Sequence, residues 1–219
     1  MATRFFLVLS VLCYLVVDGA FAQDPDAEAK YTAAITKRAD DIVVRLEIAD
    51  PSKATQVRDQ IMNQYRALRE FHDANEAVII ALKTENPSDP SKLEAAYAPL
   101  KELHRSFISG LERDLTAEQL DTVKNGMTFN VLNVTYTAYL DKIPSLTDEQ
   151  KLYIMQQLTE ARELAMDEGS SEAKHNVFGK YKGRINNYLS QAGYDLRAEE
   201  KAWQERLRAR RAAATQKSE

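Results

Sequence analysis

Two kinds of helix-start signal, each occurring twice, divide this chain into short segments. The string Asp-Pro-Ser-Lys stands at 50–53 and again at 89–92, where the aspartate can cap a helix and the proline fits its first turn. The string Leu-Thr-x-x-Gln stands at 115–119 and at 146–150. There the threonine can cap a helix while the glutamine, three residues on, reaches back to the threonine amide. Starts of this kind predict helices joined by short loops.

Apolar residues between these signals recur at steps of three and four, which is the period of one helix face. The clearest stripe follows Asp50 and is expected to run to about Thr84. The next stripe contains Pro99, which lacks a backbone donor and is expected to kink or divide its helix. Together the stripes predict an all-α fold, an irregular bundle of about six or seven helices with short capped loops.

Residues 127–140 fit this pattern least well. Their β-branched residues favour a strand, whereas the spacing of Val131, Tyr136, Tyr139 and Leu140 also suits a helix. We expect irregular chain to about Asn133 and then a short helix that ends near Ile143.

The first 22 residues are typical of a cleavable export signal. Arg4 precedes an apolar run, and Ala20-Phe21-Ala22 provides the small residues of a cleavage site. We therefore predict a signal peptide over 1–22, a single helical domain over 23–205 and a basic C-terminal tail over 206–219 that frays. The expected location is the periplasm or the exterior, with no transmembrane segment in the mature chain.

The composition argues against several classes of function. The one cysteine, Cys13, lies in the predicted signal, so the mature chain is expected to lack thiol and disulfide chemistry. A formal net charge of −4 argues against nucleic acid as the main partner. Three scattered histidines, His72, His104 and His175, are weak evidence for a metal site, and we predict neither a metal nor a cofactor.

Polar and aromatic chemistry is densest between Ser170 and Asp195. Ser170 or Ser171 can cap a helix here, and Gly193 suits its C-terminal end. Gly179 and Gly183 weaken this helix, which suggests the close approach of a backbone or a ligand, or else flexibility. The candidate ligand-binding residues are His175, Lys180, Tyr181, Lys182, Arg184, Asn186, Asn187 and Tyr188 on this helix, together with Trp203. A solvated basic face with core tyrosines is the alternative interpretation.

Two stretches of the sequence resemble a family of exported bacterial proteins of unknown function. They are K-H-N-V-F-G-K-Y-K-G-R-I-N-N-Y-L-S-Q-A-G-Y-D from 174 and N-G-M-T-F-N-V-L-N-V-T-Y at 125–136. Sugar binding has been suggested for that family. The resemblance covers about Tyr31 to Trp203, and it implies an all-helical exported domain that engages carbohydrate. In that case the basic and amide side chains would bond sugar hydroxyls, while a tyrosine or Trp203 packs on an apolar sugar face.

Two other functions remain open at this stage. Leu-Thr-x-x-Gln also resembles the signature of small periplasmic helical stress chaperones, which hold unfolded clients on a cradle-like surface; a structural helical protein belongs to the same class. A glycoside-processing enzyme is the least favoured, because its two carboxylates need a geometry that spacing does not reveal. We therefore predict an exported, non-catalytic binding protein whose ligand is a carbohydrate.

Overall fold

The computed structural model describes residues 25–85 and 89–216. Residues 1–24, which include the predicted signal peptide, lie outside the described residues, as do residues 86–88 and 217–219. Regular structure in the described part is entirely helical, which confirms the all-α class. Its elements are α1 (Pro25–Val43) with a 3₁₀ turn (Val44–Leu46), α2 (Pro51–Thr84), α3 (Pro90–Glu112), α4 (Ala117–Met127), α5 (Val131–Lys142), α6 (Asp148–Met166), α7 (Ser171–Gln191) and α8 (Leu196–Gln216).

As predicted, the two copies of Asp-Pro-Ser-Lys begin helices α2 and α3, and the two copies of Leu-Thr-x-x-Gln begin helices α4 and α6. Asp50 accepts a hydrogen bond from the amide of Ser52, and Asp89 does the same for Ser91. Thr116 and Thr147 each form a complete capping box with the glutamine three residues later. These bonds satisfy amides at the first helical turn that have no partner within the helix.

The irregular stretch expected to reach Asn133 is shorter than predicted, since α5 already begins at Val131. Phe129 and Asn130 both adopt a left-handed backbone with φ of 57°. The Asn130 amide thereby bonds the Asn125 carbonyl at 2.7 Å and closes the end of α4. The helix buries both Leu132 and Tyr139, and this burial outweighs the β preference of the residues between them.

Pro99 lies within α3 without dividing it. Both Pro99 and Ala95, whose carbonyl loses its helical partner, are on the exposed side. Water can therefore replace the missing bond, and the helix continues to Glu112.

The core falls into three clusters of buried apolar side chains. One joins α1, α2, α3 and α4, a second joins α5, α6 and α7, and a smaller one lies between the C-terminal half of α2 and the N-terminal half of α3. Helix α6 contacts α4, α5 and α7, so it links the two ends of the bundle. Within the described residues no helix is long and apolar enough to cross a membrane.

Helix α8 continues into the segment expected to fray. It runs without a break to Gln216, and Arg206 donates to the carbonyl oxygens of Asp141 and Lys142 at 2.9 Å. Arg210 adds two bonds to the Asp141 carboxylate. The basic side chains thus bind the C-terminal end of α5, where the helix dipole favours positive charge.

Candidate functional site

A groove of about 740 Å³ opens between the α2–α3 pair and the α6–α7 pair. Its apolar lining comes from all four helices, and charged side chains stand among these residues. The apolar members are Ile79, Ile80, Pro90, Leu93, Leu100, Leu164 and Val177, with Tyr97 and Tyr181 as the aromatic ones.

Helix α7 supplies one wall of the groove through Val177, Lys180, Tyr181 and Arg184. These positions share one helix face because they are spaced by one, three or four residues. The Tyr181 ring is buried, and its hydroxyl donates to the Glu160 carboxylate at 2.6 Å. Burial, together with that carboxylate, raises the pKa of Tyr181. The Arg184 guanidinium carbon lies 4.4 Å from the Tyr181 ring centroid, a cation–π contact at the rim of the groove.

Helices α2 and α3 supply the opposite wall. The Lys83 ammonium lies 5.5 Å from the centroid of the Tyr97 ring, while Lys101 pairs with Glu94 at 3.2 Å. Ile80 remains 54% exposed on this wall. The wall therefore combines an aromatic ring, a cation and uncovered apolar surface.

The loop after α6 forms one end of the groove and is held by two histidines. His104 Nδ1 lies 2.9 Å from an Asp167 carboxylate oxygen, and His72 Nε2 lies 2.7 Å from the Asp167 carbonyl oxygen. Gly169 packs so closely on His72 that a Cβ there would lie 2.8 Å from its ring. Sequence spacing does not reveal this arrangement, because His104 is 63 residues and His72 is 95 residues from Asp167.

An ionic network continues from His104 into the α3–α4–α6 interface. Glu163 lies 3.7 Å from His104 Nε2 and 2.8 Å from the Lys124 ammonium. Arg162, which is buried, bonds Asp121 at 2.6 Å and Asn125 at 2.9 Å. Charges on three helices therefore fix the position of α6 and of the loop that closes the groove.

We expect the contribution of His104 to stability to depend on pH. The hydrogen bond to Asp167 raises the pKa of His104, and the charge of Asp167 adds to this effect. The stabilisation is thus fully present below the unfolded-state pKa and is lost as the pH rises through the folded-state value. In chemical denaturation, His104→Gln should lower the free energy of unfolding more at pH 5.5 than at pH 8.5. An equal loss at both pH values would contradict this prediction.

Lys174 is a second polar residue whose role became apparent only in the structure. It is 4% exposed, and its ammonium donates to the carbonyl oxygens of Ala165 at 2.9 Å and Met166 at 3.0 Å. Burial lowers the pKa of Lys174 to about 8. The side chain thus caps the C-terminal end of α6 from within the core.

The candidate residues predicted on α7 do not converge on one site. Lys180, Tyr181 and Arg184 line the groove, whereas Lys182 and Asn187 are exposed away from it. The reason is the helical repeat, which places Lys182 and Lys180 about 200° apart around the axis.

The other predicted residues serve contacts elsewhere in the bundle. His175 stacks on Phe129 with ring centroids 5.4 Å apart, and Tyr188 stacks on Tyr153 at 4.0 Å. Asn186 accepts a hydrogen bond from the Tyr139 hydroxyl, whose pKa burial raises to about 12. Trp203 donates its indole N–H to Asp141 at 2.7 Å in the α5–α8 contact.

The glycines of α7 face open space. A Cβ built at Gly179 or Gly183 would meet no other part of the described structure within 4 Å. Close packing against another of the described helices therefore does not explain them. The helix packed most centrally is α6, rather than the glycine-bearing α7.

Comparison with known proteins identifies a family and no activity. The profile of DUF3826, described as a protein of unknown function, matches residues 32–209 and so covers all of the groove-lining helices. No curated protein matches the chain.

Proposed function

The chain belongs to the DUF3826 family of proteins of unknown function, and we propose that it is an exported, non-catalytic protein that binds a carbohydrate in the α2–α3/α6–α7 groove. The observation that carries the proposal is the composition of that groove. Tyr97 and its apolar neighbours offer a surface for a sugar face, while Lys180 and Arg184 offer hydrogen-bond donors beside it.

The size of the groove and the resemblance described above support this proposal. Its volume of about 740 Å³ lies within the roughly 300–1,000 Å³ that small-molecule sites enclose. The resemblance to exported proteins with a suggested sugar-binding role favours a carbohydrate over other small molecules.

Two histidines hold one end of the groove. His72 and His104 are engaged in holding the Asp167 loop. These hydrogen bonds help to maintain the shape of the groove, which is the only role that the binding proposal assigns to the two histidines.

The test is titration of the mature protein with a panel of neutral and acidic oligosaccharides by isothermal titration calorimetry. In the groove variant, Lys180→Ala is combined with Arg184→Ala. The matched control combines Lys182→Ala with Asn187→Ala, two exposed changes on the same helix outside the groove. Circular dichroism verifies that both variants are folded.

We expect saturable binding by the wild type, at least tenfold weaker binding by the groove variant, and unchanged binding by the control. A tenfold loss corresponds to about 1.4 kcal/mol, the scale of one or two lost hydrogen bonds. Absence of binding to every saccharide, or equal binding by the groove variant, would overturn the proposal.

A second candidate function is the holding of unfolded clients, which the uncovered apolar surface of the same groove favours. Ile80 is 54% exposed and Leu164 is 50% exposed, and both line the groove. Under this alternative the protein suppresses aggregation of a chemically denatured client, and Ile80→Ser with Leu164→Ser weakens that effect. Light scattering, recorded while the denatured client is diluted into buffer, measures this suppression of aggregation.

A further inference from the structure

We propose that the carbohydrate bound in the groove is acidic, bearing carboxylate or sulfate groups that Lys180 and Arg184 of α7 recognise together with Lys83 of α2. This inference rests on the proposed function, because it specifies the ligand class of the same groove. It is carried by the distribution of charge along α7 and by the partners of the groove's cations.

Helix α7 carries four basic residues and a single acidic one, Glu172 in its first turn. The chain as a whole has 33 acidic and 29 basic residues. Yet no aspartate or glutamate occurs from Ala173 to Tyr194, a stretch that contains Lys174, Lys180, Lys182 and Arg184. Beyond its first turn, the positive charge of this helix is therefore not balanced by carboxylates along its own surface.

The spacing of the groove cations adds an unfavourable interaction to the free protein. Lys180 and Arg184 are four residues apart, where like charges on a helix destabilise it. Both line the groove. An anion bound between them would convert this repulsion into two attractive contacts, which is the arrangement expected of a site that awaits a negatively charged group.

The described residues also leave these cations without carboxylate partners. Lys180, Arg184 and Lys83 form no ion pair within the described part of the chain, whereas Lys101 pairs with Glu94. Lys83 and Arg184 instead lie against the Tyr97 and Tyr181 rings, which position a cation without neutralising it.

The acidic residues of the groove are Glu76, Glu94, Asp167 and Glu168. Two of these are engaged, since Glu94 pairs with Lys101 and the Asp167 carboxylate contacts His104. Glu76 and Glu168 remain to accept bonds from sugar hydroxyls. Four Lys or Arg residues and four carboxylates line the groove, so the preference for an anionic ligand rests on the three cations that form no ion pair within the described residues.

The test compares uronic-acid oligosaccharides with neutral oligosaccharides of the same length, titrated into the mature protein at 50 and 300 mM salt. The variants are Lys180→Gln and Arg184→Gln, which remove charge but retain polar side chains. Lys182→Gln removes the same charge from the same helix outside the groove and is the matched control.

We expect the acidic ligand to bind at least tenfold more tightly than the neutral one at low salt, with the difference reduced at high salt. Each groove variant should reduce this preference severalfold, and the control should preserve it. Equal binding of both ligands, or an equal loss in the control, would overturn this inference while leaving the carbohydrate proposal in place. If no saccharide bound, both proposals would be overturned together.

Discussion

Phe178→Ala should lower the free energy of unfolding by about 3–5 kcal/mol, the usual cost of removing a fully buried aromatic ring. Phe178 is 1% exposed and packs in the cluster that α5, α6 and α7 share. The substitution removes the transfer energy of the ring and also leaves a cavity that close-packed neighbours fill incompletely. Urea denaturation of the protein, followed by circular dichroism, measures the change.

The control for this experiment is Val134→Ala on α5. Val134 is 62% exposed, so its truncation should change the free energy of unfolding by less than about 0.5 kcal/mol. A loss below 1 kcal/mol for Phe178→Ala would show that α7 does not pack on α6 as described.

Lys174→Met should remove a rise in stability that the wild type shows at alkaline pH. Burial lowers the pKa of Lys174 from its usual 10.5 to about 8. Between these two values the unfolded chain binds more protons than the folded one, so the free energy of unfolding rises with pH. The wild type should therefore gain roughly 1 kcal/mol relative to the variant between pH 7 and pH 9.

Urea denaturation at pH 7, 8 and 9 provides the measurement. Lys182→Met is the control, because Lys182 is exposed and its removal should leave the wild-type pH dependence intact. Other titrating groups, including the buried tyrosines, are common to all three proteins and cancel in the comparison. Parallel curves for the wild type and Lys174→Met would refute the argument that burial disfavours the charged lysine.

Local features of the sequence predicted the helices well, and the reason lies in the distances involved. The caps of Asp50, Asp89, Thr116 and Thr147 satisfy amides two or three residues away, so the motif alone specifies the bond. The start of α5 was predicted too late because Phe129, unlike Asn130, is not a residue that usually favours the left-handed conformation, so the two consecutive left-handed residues were not expected.

The site was predicted in part, and the part that was missed depended on packing between distant segments. Lys180, Tyr181 and Arg184 were identified as candidates, but their partners in the groove, such as Lys83 and Tyr97, lie more than 80 residues earlier. His175 and Trp203 were grouped with them on composition. In the structure His175 stacks on Phe129, and Trp203 donates a hydrogen bond to Asp141.

The sequence by itself determined the all-α class, the repeated helix starts and the apolar stripe of α2, because each depends on hydrogen bonds or periodicity within a few residues. The tertiary structure alone decided which polar face of α7 borders a groove, which histidines hold the Asp167 loop, and that Lys174 is buried. Those outcomes depend on how α2, α3 and α6 pack against α7, and helix packing is set by the shapes of whole surfaces rather than by any short motif.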